Sequence, residues 1–178
     1  MSNTLIIIPS RMSAKRLPGK PLLKINGKTL ISLVLKKAED CKVGKAIVAT
    51  EDKKIEKEVK SNGGMALLTS KKHKSGTDRI WEAFQKLKDN KIKYIINLQG
   101  DEPLIDIKDV RNLNKIVKKN KFQIATLAIK IKNRKILDNK NIVKVATKKK
   151  LNYLNPQKAI NFYRASKTNY KYYYQHIG

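Results

Sequence analysis

The sequence predicts an α/β fold: a mostly parallel, Rossmann-like sheet with helices on both faces, followed by a small antiparallel extension. Three observations predict it. The apolar run 5–8 reads Leu-Ile-Ile-Ile without a polar interruption, the pattern of a strand buried on both faces. Short apolar runs then alternate with stretches of helical spacing as far as residue 121, and that rhythm argues crossover-linked parallel strands. From residue 122 onward the strand-like runs follow one another without helices of useful length, as an antiparallel arrangement allows. At 178 residues the chain suits a single domain with a proper core. It is read as an α/β part over 1–121 and the start of a second part over 122–178, with no linker or internal repeat between them.

The elements follow in order. After the first strand, residues 29–41 place Leu30, Val34, Leu35, Ala38 and Cys41 at helical spacing. Residues 46–50 form a second strand. Asp52 is expected to N-cap a helix that runs to Lys60, with Ile55 and Val59 inward. Asn62-Gly63-Gly64 ends it, and 65–68 is the third strand. A helix over 76–87 carries Ile80, Phe84 and Leu87 on one face, and 94–98 is the fourth strand. Asp106 caps a helix whose inner face is Val110, Leu113 and Val117. Strands are expected at 122–131, 143–147 and 151–154.

Lys and Arg number 41 against 14 acidic residues, a net charge of +27. Such charge suggests a nucleic-acid partner, but the composition argues otherwise. Only six of these cations are Arg, at positions 11, 16, 79, 111, 134 and 164, whereas nucleic-acid readers favour Arg and interleaved aromatics. Lys is spread over every expected helix beside abundant Ile and Asn, as an A+T-rich coding bias leaves on a solvated surface. No specific nucleic-acid partner is therefore expected. No run of about 18 apolar residues exists, so no membrane insertion is expected either. The N-terminus lacks a basic region ahead of its first strand and does not read as a signal peptide. Cys41 is the single cysteine, which excludes an intrachain disulfide and fits a reducing cytoplasm.

Ligands of open α/β sheets bind beyond the carboxyl ends of the strands, and three chemically rich segments are expected there. The loop after the first strand carries Arg11, Lys15, Arg16 and Lys20. Clustered like charges repel, so they make sense around a polyanion, for which a nucleoside triphosphate is the natural candidate. Pro9 ends the strand, and Gly19 lets backbone approach a phosphate closely. Arg11 offers a fork and Lys20 a point charge. The Walker spacing is absent, and a solvated basic loop is the alternative. The second segment is Gln99-Gly100-Asp101-Glu102-Pro103. Asp101 suits Mg²⁺, which takes one or two carboxylates plus phosphate oxygens; a plain turn aspartate is the alternative. In the third, Ser75, Gly76 and Thr77 offer hydroxyls and free N–H groups at a helix start, able to hold an anion or a base edge or simply to cap. His73 reads as structural or solvated, because no carboxylate or metal partner is adjacent.

These segments resemble the 3-deoxy-manno-octulosonate cytidylyltransferases, or CMP-Kdo synthetases. Ile-Pro-Ser-Arg at 8–11, Arg-Leu-Pro-Gly-Lys-Pro-Leu at 16–22 and Ile-Asn-Gly-Lys at 25–28 match that family's opening. Val-Ala-Thr at 48–50, His-x-Ser-Gly-Thr-Asp-Arg at 73–79 and Asn-x-Gln-Gly-Asp-Glu-Pro at 97–103 match next. Ala-Thr-Leu-Ala at 125–128, Asn-Ile-Val-Lys-Val at 141–145 and His-Ile-Gly at 176–178 complete the series. Arg164-Ala165 resembles the family's Ser-Arg-Ala, with Tyr163 where Ser is usual.

The resemblance implies the fold of the nucleotide-diphospho-sugar transferases. It implies a reaction in which the anomeric hydroxyl of 3-deoxy-D-manno-octulosonate (Kdo) attacks the α-phosphate of CTP, giving CMP-Kdo and pyrophosphate for lipopolysaccharide synthesis. It implies CTP and Kdo as substrates, Mg²⁺ as cofactor, a homodimer and a cytoplasmic location. Arg11, Arg16 and Lys20 would neutralise the leaving pyrophosphate, and Asp101 would hold the metal. Pro9, Ser10, Arg11 and Lys20, with Ser75, Gly76, Arg79 and Gln99, would bind the nucleotide. Gln99, Arg164 and His176 would meet the sugar acid. The family's chains continue past the His-Ile-Gly motif with a second metal-binding aspartate in a Val-Asp-Thr-Pro-type segment, so an incomplete site, doubtful activity and an unpaired sheet edge are expected. Two alternatives are a cytidylyltransferase of the acylneuraminate or spore-coat polysaccharide type and a non-catalytic basic fragment binding nucleotides or nucleic acid.

Overall fold

The computed structural model describes residues 2–13, 17–153, 155–164 and 169–177. The chain divides into two compact units, Met1–Asn120 and Lys121–Gly178, close to the change of rhythm read at 121/122.

The first unit is built around β1 (Thr4–Ser10), whose Leu5, Ile6, Ile7 and Ile8 are each at most 1% exposed. A 3-10 turn at Lys20–Leu22 and a small hairpin, β2 (Lys24–Ile25) with β3 (Lys28–Thr29), lead into α1 (Leu30–Asp40). Thr29 caps α1 by accepting from Ser32 N. There follow β4 (Lys45–Thr50), α2 (Lys53–Ser61), β5 (Ala66–Leu68), α3 (Gly76–Leu87), β6 (Tyr94–Asn97) and α4 (Ile107–Asn120). The four main strands form one parallel sheet in the order β5-β4-β1-β6. Side chains alternate across a strand. Leu5, Ile7, Ile47 and Ala49 therefore share one face, where they pack with Ile80 and Ala83 of α3. The opposite face is covered by α1 and α2, whose Ile31, Val34, Ile55 and Val59 are fully buried. The α/β expectation holds, with helices on both faces.

Local corrections are few. Asp52 sits at the N-cap position of α2, but its carboxylate makes no capping bond among the described residues; the turn is held instead by Thr50 Oγ1 accepting from Asp52 N at 3.1 Å. Asp106 does organise the start of α4, its carboxylate accepting from Lys108 N at 2.8 Å. Val110 is buried, while Leu113 and Val117 are only half-buried.

The second unit is an antiparallel sheet of β7 (Leu127–Lys130), β8 (Lys144–Thr147), β9 (Ala159–Tyr163) and β10 (Tyr172–Ile177), in the order β7-β10-β8-β9. A five-residue helix, α5 (Arg134–Asp138), joins β7 to β8. The strand expected over 122–131 shortens to β7. The strand expected over 151–154 does not form across its described residues, where Leu151 N donates to the Tyr174 hydroxyl at 2.7 Å; Leu154 lies outside the described residues. β9 and β10 were not anticipated. Their sequences, Ala-Ile-Asn-Phe-Tyr and Tyr-Tyr-Tyr-Gln-His-Ile, are aromatic rather than aliphatic, and only Tyr174 among them is buried. Aromatic enrichment is a strand signal in its own right.

Candidate active site

Chain order places the site. From β1 the chain moves outward to β4 and β5, then crosses back to β6 on the other side of β1. The reversal leaves a crevice beyond the carboxyl ends of β1 and β6, the place where open α/β sheets bind ligands. Two glycines let its walls close. A Cβ at Gly100 would stand 3.1 Å from Pro9 O, and one at Gly76 would stand 3.4 Å from Pro9 Cγ. The loop after β6 and the start of α3 thus both press against the end of β1.

A cavity of about 180 Å³ lies there, lined by Pro9, Ser10, Arg11, His73, Ser75, Gly76, Arg79 and Gln99. It is smaller than the roughly 300–1,000 Å³ of most ligand pockets, so it suits one part of a nucleotide. All of the nucleotide-binding candidates except Lys20 border it. Ser75 and Asp78 form a reciprocal capping box at the N-terminus of α3: Ser75 Oγ accepts from Asp78 N at 3.1 Å, and the Asp78 carboxylate accepts from Ser75 N at 3.3 Å. The capping alternative for this segment is met, and Ser75 and Gly76 also line the cavity. Ser10 Oγ is buried and finds no hydrogen-bond partner among the described residues.

Arg79 lines the cavity but is 3% exposed, and its guanidinium is consumed by protein. Nη2 pairs with the Glu51 carboxylate, while Nη1 donates to Thr69 Oγ1 at 2.5 Å and to Ser70 O at 3.4 Å. This geometry casts Arg79 as a brace of the wall rather than a free phosphate ligand. Its partner Glu51, 28 residues upstream at the end of β4, was missed in the sequence; an acid directly after a buried strand was the available signal.

His73 is likewise not solitary. Its Nε2 hydrogen-bonds Glu82 Oε2, and Glu82 also accepts from Ser70 N at 2.8 Å and from Lys86 Nζ at 2.7 Å. The Lys86 ammonium, more than any other neighbour, pulls the Glu82 carboxyl down to about 2. The carboxylate partner absent next to His73 in sequence is supplied nine residues on by α3.

Lys20 and Asp101 meet beside these groups, with Nζ 2.7 Å from Oδ2. Their side chains are 36% and 52% exposed, so the pair adds at most about 1 kcal/mol to stability. Burial raises the carboxyl of neighbouring Glu102, and the Asp101 charge adds to that. Among the described residues, no three His, Cys, Asp or Glu side chains gather as a metal-binding group. Asp101 can therefore serve a cation as one ligand of several, the rest coming from phosphate oxygens and water, which is how Mg²⁺ is usually held. Arg16 lies outside the described residues.

Arg164 and His176 belong to the second unit. Arg164 Nη1 donates to Asn141 O at 2.9 Å and to Lys140 O at 3.5 Å. The ammonium of fully buried Lys144 donates to Arg164 O and Asn139 O, each at 2.9 Å. His176 Nε2 bonds Thr126 Oγ1 at 2.8 Å, and its ring meets Phe162 edge-on at 5.4 Å. Burial lowers the His176 pKa, favouring the neutral ring.

A parallel α/β unit with a basic first loop and an acid-bearing fourth loop at its switch point has the form of a nucleotidyltransferase. The chain belongs to the cytidylyltransferase family, whose model matches residues 5–178. It is 45% identical over 144 residues to a 3-deoxy-manno-octulosonate cytidylyltransferase of Afipia carboxidovorans, covering 80% of this chain and 58% of that protein. It is 40% identical over 173 residues to one from Fusobacterium nucleatum, covering 97% and 69%. Among solved structures, a CMP:2-keto-3-deoxy-manno-octonic acid synthetase complexed with CTP superposes with a TM-score of 0.86 at 36% identity, over 99% of this chain and 72% of that one. The chain thus spans less than two thirds of the length of several relatives it matches.

Proposed function

We propose that this chain carries the CTP site of an enzyme that activates Kdo, forming CMP-Kdo and releasing pyrophosphate. The observation that carries the reading is the cavity at the β1/β6 switch point with Arg11 on its wall and the Lys20–Asp101 pair beside it. The likeness to the CTP-complexed synthetase supports it. In the reaction the anomeric oxygen of Kdo bonds to the α-phosphorus and gives up its proton to solvent, the bond from that phosphorus to the β-phosphate bridge breaks, and pyrophosphate departs. Transfer of this kind is governed by positioning and charge neutralisation. Arg11 would grip a phosphate bidentately, and Lys20 would exchange its Asp101 partner for phosphate oxygens. Asp101 would then be one ligand of Mg²⁺, which when bound neutralises triphosphate charge. Gln99, at the cavity edge, would reach the sugar or base. Arg164 and His176 would serve the sugar acid, and a homodimer is part of the proposal.

Calorimetry with CTP and Mg²⁺ tests the site, and pyrophosphate release on adding Kdo or N-acetylneuraminate tests the acceptor. Saturable CTP binding weakened about tenfold or more in Lys20→Ala, with any release confined to Kdo, is expected. Absence of CTP binding would overturn the reading. Size by light scattering decides the dimer.

A further inference from the structure

The cavity and the charged pair beside it differ in kind. The cavity's Arg79 is already neutralised by Glu51, and its other polar side chains are the Ser10 and Ser75 hydroxyls, the Gln99 amide and His73, with Arg11 as the one unpaired charge on its wall among the described residues. Lys20 and Asp101 do not line it. If this is a CTP site, as proposed above, the uncharged base belongs in the cavity and the phosphates lie along Arg11 and Lys20. The orphaned Ser10 hydroxyl, 6% exposed as a residue, wants a polar partner there.

We infer that His73 selects the base, presenting an acceptor nitrogen to the amino edge of cytosine and rejecting the keto edge of uracil. Nε2 is spent on Glu82, so Nδ1 is the ring nitrogen left for a ligand. An ionised carboxylate can only accept, and Glu82, held near pKa 2, is ionised at neutral pH. In the neutral form of the ring the proton therefore sits on Nε2 and Nδ1 is a bare lone pair; the partner of one ring nitrogen fixes the role of the other. Cytosine offers an N4 amine donor where uracil offers an O4 acceptor. Lone pair against amine is a hydrogen bond; lone pair against carbonyl is a desolvated mismatch. A site built this way discriminates by about 10- to 100-fold.

The test compares dissociation constants for CTP and UTP, with Mg²⁺, in the unaltered chain, His73→Phe and Glu82→Gln. The unaltered chain is expected to prefer CTP at least about tenfold. His73→Phe removes the acceptor, and Glu82→Gln removes the charge that pins the proton, so the UTP-to-CTP ratio of constants falls towards one in both. A purely structural role would weaken both nucleotides in proportion and leave the ratio unchanged, which overturns the inference. In the unaltered chain, ¹⁵N labelling of its two histidines reads the tautomer directly; a protonated Nδ1 with a bare Nε2 on His73 also overturns it. Equal binding of CTP and UTP by the unaltered chain overturns the role of His73 and leaves the nucleotide site standing, whereas binding of neither overturns both.

Discussion

The ammonium of Lys20 and the carboxylate of Asp101, 81 residues apart in sequence, meet at 2.7 Å at the carboxyl ends of β1 and β6. Both are too exposed for the pair to serve stability. Lys20→Ala and Asp101→Asn should each change the unfolding free energy by less than about 1 kcal/mol. Each should weaken Mg²⁺-dependent CTP binding by about tenfold or more, the loss of one charge-assisted contact. Urea unfolding and calorimetry on the same samples check both halves.

The Arg79–Glu51 pair behaves in the opposite way. Its guanidinium is buried and paired through both terminal nitrogens, and removing one partner strands a buried charge at a cost of about 3–5 kcal/mol. Arg79→Met or Glu51→Gln should lower the urea midpoint strongly even without ligand, and the double variant should lose less than the sum of the two. A stable Arg79→Met chain that fails only to bind CTP would reassign Arg79 to the ligand.

Ser10→Ala separates the two states cleanly. In the free chain it deletes a buried hydroxyl that has no partner among the described residues, so the melting temperature should hold or rise. With CTP present the variant should gain less thermal stabilisation than the parent, as a lost ligand contact requires. Melting curves with and without CTP measure both.

Acid should unfold the chain in two steps of distinct origin. Burial lowers the His176 pKa from 6.5, so the unfolded chain takes that proton first, and stability falls as pH drops below about 6.5. Glu82 is lowered from 4.5 to about 2, so its contribution is complete above about 4.5 and is lost as pH falls towards 2. His176→Gln should flatten the first slope and Glu82→Gln the second in stability measured between pH 7 and pH 3.

The parallel unit was legible because its signals are local and redundant. Leu5 to Ile8 form one unbroken apolar run ahead of a proline, and Ser75-Gly76-Thr77 supplies the small polar residues that suit a helix start. The cavity walls were legible as well, since each is a short segment directly after a strand or before a helix. What sequence could not show was which charges are already spent. Arg79 looked available until Glu51 and Thr69 were placed around it, and His73 looked solitary until a helical turn delivered Glu82. Lys144 stands among lysines that composition reads mostly as solvated surface, yet backbone carbonyls at positions 139 and 164 hold it inside. Those partnerships are tertiary. β9 and β10 escaped for a different reason: their half-buried tyrosines and asparagine blur the alternation that marks an amphipathic strand.

The position of β1 in the middle of the sheet has a kinetic consequence. Its Leu5 aligns with Lys45 on one side and Ile95 on the other, so neither flank of the strand is local. Closing such long loops is slow compared with forming a helix. The end of β1 cannot be framed by the 73–79 and 99–101 segments until both crossovers have docked. In a refolding experiment, nucleotide capture should therefore be among the last signals to recover, well after helical circular dichroism.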